Sequence, residues 1–94
     1  GPARIEAQVL ALTDRLIAGL QTHGHDLVSS LVPAERSGVV CFRPRGGEDP
    51  VVAVERLREA RISIAARAGV VRVSPHFYNT AEEIDRLFAP GLLG

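Results

Sequence analysis

The stretch ISIAARAGVVRVS, residues 62–74, decides the fold because it has the pattern of a β-hairpin. Residues 62–67 and 70–74 are strand-like runs, and Ala68-Gly69 between them is a two-residue loop of the kind that joins antiparallel strands. Pairing the runs about this loop produces one wholly apolar face, made of Ile62, Ile64, Ala66, Val71 and Val73. A sheet with one apolar face buries that face against its own helices, so we expect helices on that side alone.

The second face of the hairpin is predicted to be polar. Its cross-strand pairs are Ser63 with Ser74, Ala65 with Arg72, and Arg67 with Val70. Arg72 therefore stands in the middle of a strand beside small partners. On this pattern alone Arg72 is a solvent-facing arginine paired with a nearby glutamate, since surface arginines are common.

The first two helices precede this hairpin. Apolar residues recur on a 3.6-residue period over residues 4–22, which predicts a helix that Gly24 ends. Its apolar stripe is Ile5, Val9, Leu12, Leu16 and Leu20. Asp49 and Pro50 are typical of a helix start, and we expect a second helix from there to about Ala60. Its inward residues are predicted to be Val51, Val54 and Leu57.

A third helix follows the hairpin. It opens at Thr80, with Glu83 three residues later completing a capping box, and Pro90-Gly91 ends it. Its apolar stripe is Ile84, Leu87 and Phe88.

Two further strands are expected between the first and second helices. Residues 26–31 form a short strand, residues 33–38 a polar loop, and residues 39–42 a strand. Residues 39–42 are apolar at every position, which predicts a strand covered on both faces. The elements together predict a single small α+β domain. Its sheet is three- to four-stranded and mostly antiparallel, with helices packed on one face.

The composition limits the classes of function. Eleven acidic and eleven basic side chains cancel, so charge gives no case for nucleic acid or an anionic membrane as partner. A single cysteine fits a reducing, cytoplasmic setting, and no apolar run is long enough to span a bilayer. All basic residues are arginine, and methionine is absent as well. Gly1-Pro2 resembles the scar of a cleaved expression tag, and we expect residues 3–94 to be a segment of a longer protein.

Classical catalytic groups are poorly placed in this sequence. The candidate metal ligands His23, His25, His76 and Cys41 match no zinc spacing, and histidines near a helix end usually cap it or face water. A buried Cys41 would be a packing residue, because a strand interior raises a thiol pKa. The serines lack a nucleophile elbow, and Gly46-Gly47 lacks the lysine and spacing of a phosphate-binding loop.

Two stretches at the C-terminal end carry a family resemblance. RVSPHFYNT, residues 72–80, and EEIDRL, residues 82–87, closely resemble the C-terminal end of class V aminotransferase-like enzymes. These are fold-type I pyridoxal-phosphate proteins, among them cysteine desulfurases, selenocysteine lyases and isopenicillin N epimerase-like members. RIE at residues 4–6, LTDRL at 12–16 and RSGVV at 36–40 are similar to the start of that family's small domain, so the resemblance covers nearly the whole chain.

The resemblance implies a role for Arg72, which matches the family's arginine that binds the substrate α-carboxylate. It also implies partners: the enzyme's own large domain, which binds pyridoxal phosphate, an amino-acid substrate, and a second copy of the parent in a homodimer. Without a lysine this chain cannot form the internal Schiff base, so we expect the isolated domain to bind no cofactor and to be inactive. The substrate arginine is thus the one site residue the chain would contribute.

One departure narrows the resemblance. Desulfurases carry a mobile loop with a reactive cysteine shortly before this arginine, whereas here Ala68-Gly69 turns directly into Val70. The epimerase-like branch therefore fits better. The alternative from a different class is a free-standing, ferredoxin-like interaction or small-ligand module with no catalytic parent.

Overall fold

The computed structural model describes residues 1–29 and 37–94. Within them lie three helices, four strands and one short 3-10 helix. The helices are α1 (Pro2–Thr22), α2 (Pro50–Arg56) and α3 (Ala81–Arg86). The strands are β1 (Asp26–Leu27), β2 (Val40–Arg43), β3 (Ser63–Arg67) and β4 (Val70–Ser74), and the 3-10 helix is Arg45–Gly47.

The four strands form one antiparallel sheet in the order β1-β2-β4-β3. The hairpin of β3 and β4 has the register that the sequence predicts, with Ala65 opposite Arg72 and Ile64 opposite Val73. The predicted α+β class is confirmed. The order of the described elements differs from the β-α-β-β-α-β order of a ferredoxin-like fold.

The loop of this hairpin bends through two left-handed residues. Ala68 has a φ of 52° and Gly69 a φ of 80°. Two central residues with positive φ make a type I′ turn, whose twist matches that of the flanking strands. Glycine adopts this conformation freely, but alanine does not, because its Cβ crowds the following carbonyl.

The core lies between one face of the sheet and the helices. From α1 it takes Leu12, Leu16 and Leu20, and from the sheet Val40, Phe42, Val71 and Val73, all buried. The predicted stripe of α1 is confirmed from Leu12 onward, but Ile5 is 42% exposed. Residues 2–8 are exposed throughout, because no described element packs against the first two turns of α1.

Helix α2 is shorter than predicted, and a different set of its side chains faces the core. Asp49 caps it as expected, its carboxylate accepting from the Val51 amide at 2.9 Å. The prediction that Val51 faces inward is wrong: Ala53 and Leu57 are buried, while Val51 is 64% exposed. The stripe therefore begins two residues later, with Val54 packed against the core beside Ala53 and Leu57.

Helix α3 begins with the predicted capping box. The Thr80 hydroxyl accepts from the Glu83 amide, and the Glu83 carboxylate accepts from the Thr80 amide. Ile84 and Leu87 are buried in the core, and Phe88 packs against it. The helical segment closes at Arg86, before Pro90-Gly91, and turns continue from there.

The prediction that residues 39–42 form a strand covered on both faces is wrong. Along β2, Val40 and Phe42 are buried, whereas Cys41 is half-buried and Arg43 is exposed. An apolar side chain at an outward position does not require a covering element, and here the helices occupy one side only. Strand β1 is limited to Asp26–Leu27; the rest of its predicted span beyond Ser29, and the predicted loop before Ser37, lie outside the described residues.

Candidate functional site

The candidate site lies on the side of the sheet that no helix of the described residues covers. We call the outward side chains of β3 and β4 the open face: Ser63, Ala65, Arg67, Val70, Arg72 and Ser74. None of these six residues is buried, in contrast to Val71 and Val73 on the inner side of the same hairpin. A surface with alternate side chains this open is free to meet a ligand or another part of a protein.

Arg72 lies at the centre of the open face. Its backbone neighbours across the sheet are Cys41 on β2 and Ala65 on β3, and neither side chain is long enough to cover the guanidinium. Ser63, Ala65 and Ser74 join Arg72 in lining a shallow recess of about 390 Å³. The arginine therefore has space beside it for a small polar group.

Arg72 has no acidic partner within residues 1–29 and 37–94, unlike several other arginines of the chain. Arg15, Arg43, Arg56 and Arg58 each form an ion pair, with Asp85, Asp26, Glu48 and Glu55 respectively. Arg72 makes no side-chain hydrogen bond or ion pair to any residue in 1–29 or 37–94. The glutamate partner expected of an ordinary surface arginine is thus not found in the part of the chain that the structure describes.

One rim of the recess is formed by a serine–histidine contact. The Ser63 hydroxyl lies 3.0 Å from His76 Nε2, and the His76 ring stacks on Tyr78 at 5.2 Å between ring centroids. Phe77 and Tyr78 are both mostly exposed and meet edge to face. This rim consists of a serine hydroxyl, a histidine ring and aromatic rings, and the sequence alone does not place it beside Arg72.

Asn79 fixes the segment that carries this rim. Its side chain is buried; Oδ1 accepts from the His76 amide at 2.8 Å, and Nδ2 donates to the Arg61 carbonyl at 2.8 Å and to Glu83 Oε1 at 3.1 Å. The Asn79 bond and the Thr80 backbone bond hold the pKa of Glu83 below its usual value. Asn79 thereby links the segment after β4 to Arg61, which precedes β3, and to Glu83 at the start of α3.

His25, one of the candidate metal ligands, is a structural residue. It is buried, its Nδ1 accepts from the Arg45 amide at 2.9 Å, and its Nε2 lies 2.7 Å from the Leu93 carbonyl. An Nδ1 that accepts leaves the proton on Nε2, which donates to Leu93. Both ring nitrogens are therefore occupied by backbone groups.

The other candidate ligands lie apart from His25. His23 stacks on Phe88, His76 lies at the Ser63 rim, and Cys41 sits beside Arg72. Over residues 1–29 and 37–94, no three histidine, cysteine or acidic side chains come together as a metal site would require. Among the same residues, no helix is both long and apolar enough to cross a membrane.

The chain has a distant similarity to a class V aminotransferase-like pyridoxal-phosphate enzyme, which confirms the resemblance that the sequence indicated. One relative is isopenicillin N epimerase of Streptomyces clavuligerus, which is 37% identical over an alignment of 95 residues that includes 93% of this chain. The chain spans 23% of the length of that enzyme. No protein-family model matches the chain. The name of this relative agrees with the epimerase-like branch that the short Ala68-Gly69 loop favours.

Proposed function

We propose that this chain is the C-terminal small domain of a class V aminotransferase-like enzyme and that Arg72 binds the α-carboxylate of its amino-acid substrate. The observation that carries the proposal is an arginine without an acidic partner among the described residues, at the centre of an uncovered sheet face. The similarity to isopenicillin N epimerase supplies the class of enzyme.

The chemistry of the guanidinium supports this role. Arginine presents two parallel N–H donors that match the two oxygens of a carboxylate, which fixes the orientation of the bound acid as well as its position. Ala65 and Cys41 leave both donors accessible from above the sheet. An arginine already paired with a protein carboxylate would have to break that pair before it could bind substrate.

The residues of this chain do not fit a pyridoxal-phosphate site. The cofactor is held in such enzymes through a lysine amine, and this chain contains eleven arginines and no lysine. The cofactor would therefore be bound by the remainder of the parent protein, and the isolated domain would be inactive. The open face would then meet the cofactor-bearing domain and hold the substrate between the two.

Steady-state kinetics of the full-length enzyme test the proposal. Arg72→Ala should lower kcat/KM for an amino-acid substrate. The loss should correspond to about 2–5 kcal/mol of transition-state stabilisation, the range for leaving a buried charge unpaired. Arg72→Lys should restore only part of this loss, because a point charge cannot form the two-pronged contact. Arg58→Ala is the control, since Arg58 pairs with Glu55 away from the open face.

Equal kcat/KM for wild type and both Arg72 variants would return Arg72 to the role of an ordinary surface arginine. Circular dichroism of each variant confirms that the fold is intact, which we expect because Arg72 contributes nothing to the buried face of the hairpin.

A further inference from the structure

A second arginine lies beside Arg72 on the open face. The register of the hairpin sets Arg72 of β4 opposite Ala65 of β3. Arg67 is two residues after Ala65 on β3, so its side chain lies on the same side of the sheet as Arg72. Diagonal neighbours of this kind in an antiparallel pair have Cα atoms about 7–8 Å apart, within reach of long side chains. Arg67 is exposed and, within residues 1–29 and 37–94, makes no side-chain hydrogen bond or ion pair.

Arg43 of β2, on the same side of the sheet, is an arginine whose charge is neutralised by an acidic side chain. Its Nη1 lies 3.4 Å from Asp26 Oδ2, and the two residues are directly paired across β1 and β2. The described part of the chain offers no such carboxylate to Arg67 or Arg72. Two adjacent positive charges repel each other, and this repulsion grows when a covering domain removes water.

The open face has a different character on the other side of Arg72, away from Arg67. There Ser63 and Ser74 present hydroxyl groups, and the Ser63 hydroxyl is already engaged by His76. A ligand held at Arg72 thus meets the serine hydroxyl groups on one side and the Arg67 guanidinium on the other. Because Arg67 lies on the side of Arg72 nearer the hairpin loop, a second anionic group of the ligand would lie toward that loop.

We propose that Arg67 is a second anion-binding residue, and that the open face accepts an amino acid carrying another anionic group besides its α-carboxylate. This inference rests on the proposed function, because Arg67 can bind a second anionic group of the substrate only if Arg72 binds its α-carboxylate. Arg72 would bind what every amino-acid substrate has in common. Arg67 would select, among those substrates, the ones whose distal end is negatively charged.

Binding of two small acids to the 94-residue chain tests this directly. Glutarate carries two carboxylates, and pentanoate is a monocarboxylate of the same chain length. Dissociation constants come from backbone amide shifts of residues 63–74 at matched ionic strength. We expect glutarate to bind wild type at least about fivefold more tightly than pentanoate, since a hydrogen bond to a charged group is worth that much.

The variants separate the two arginines. Arg67→Gln should leave the pentanoate affinity unchanged and reduce the glutarate preference to the statistical advantage of two carboxylates. Arg72→Gln should weaken the binding of both acids. Arg58→Gln removes the same charge outside the open face and should change neither dissociation constant.

The outcomes also distinguish this inference from the function on which it rests. A glutarate preference that survives Arg67→Gln, while Arg72→Gln weakens both acids, overturns the role of Arg67 and leaves that of Arg72 standing. Pentanoate binding that is unaffected by Arg72→Gln, or no shift in residues 63–74 with either acid, overturns both roles.

Discussion

Arg15 of α1 and Asp85 of α3 form a two-pronged ion pair across 70 residues of sequence. Arg15 Nε donates to Asp85 Oδ1 and Nη2 to Oδ2, both at 2.7 Å. The contact joins the outer surfaces of two helices whose inner surfaces meet in the core. Because this pair is at the surface, its effect is best seen through pH rather than through a large loss of stability.

The first prediction concerns acid stability. Hydrogen bonding to Arg15 holds the pKa of Asp85 below its ordinary value, and bonds from Asn79 and Thr80 do the same for Glu83. A carboxyl group whose pKa is lowered by folding stabilises the fold above its unfolded pKa of about 4 and loses that contribution as pH falls through the folded pKa. The free energy of unfolding should therefore decline as pH drops below about 4–5.

Urea unfolding at several pH values checks this. Asp85→Asn should flatten the acid side of the profile, whereas Glu6→Gln on α1 removes an exposed carboxylate outside the ion pair and serves as the control. Identical acid slopes for wild type and Asp85→Asn would contradict the prediction.

The second prediction concerns the hairpin loop. Ala68 holds a left-handed backbone at φ 52°, which costs an alanine about 1 kcal/mol, and Asn-Gly is the pair that type I′ turns prefer. Ala68→Asn should therefore raise the free energy of unfolding by about 0.5–1 kcal/mol, and Ala68→Val should lower it. Thermal unfolding of the three proteins measures the order; a valine variant as stable as wild type would show that the loop is not in this conformation.

The third prediction concerns Asn79. Its amide bonds the His76 amide, the Arg61 carbonyl and Glu83 from a buried position. Asn79→Ala should destabilise the domain by about 1–3 kcal/mol, because it leaves the partly buried His76 amide and Arg61 carbonyl without this partner. The control is Gln21→Ala, which removes an exposed side-chain amide and should cost well under about 1 kcal/mol, as surface substitutions usually do. Equal losses for the two variants would remove Asn79's structural role.

The hairpin was predictable because three local signals agree. The Ala68-Gly69 loop, the alternation of apolar residues and the resulting pairing all favour one register, and a slip of one residue would expose Val71 and Val73. The capping box of α3 was predictable for a similar reason, since Thr80 and Glu83 interact within one turn of chain.

The errors occur where burial depends on distant neighbours. Val51 and Cys41 are apolar residues that the sequence places inside, but whether a covering element exists beyond them is decided by the packing of the whole domain. The bond from Asn79 to the Arg61 carbonyl is equally hidden from the sequence, because Arg61 lies on the far side of the hairpin in the chain. The pairing predicted that Arg67 and Arg72 share a face, but it could not show that neither has an acidic partner among residues 1–29 and 37–94.

The exposed first turns of α1 should unfold locally while the rest of the domain stays folded. Residues 2–8 continue a helix whose inward side chains are buried only from Leu12 onward, so their backbone hydrogen bonds depend on helix propagation alone. Amide hydrogens there should exchange with solvent through local fraying, at rates insensitive to the stability of the core. In a larger protein that covers this end, the same amides would become protected, which turns the N-terminal turns of α1 into a built-in reporter of domain association.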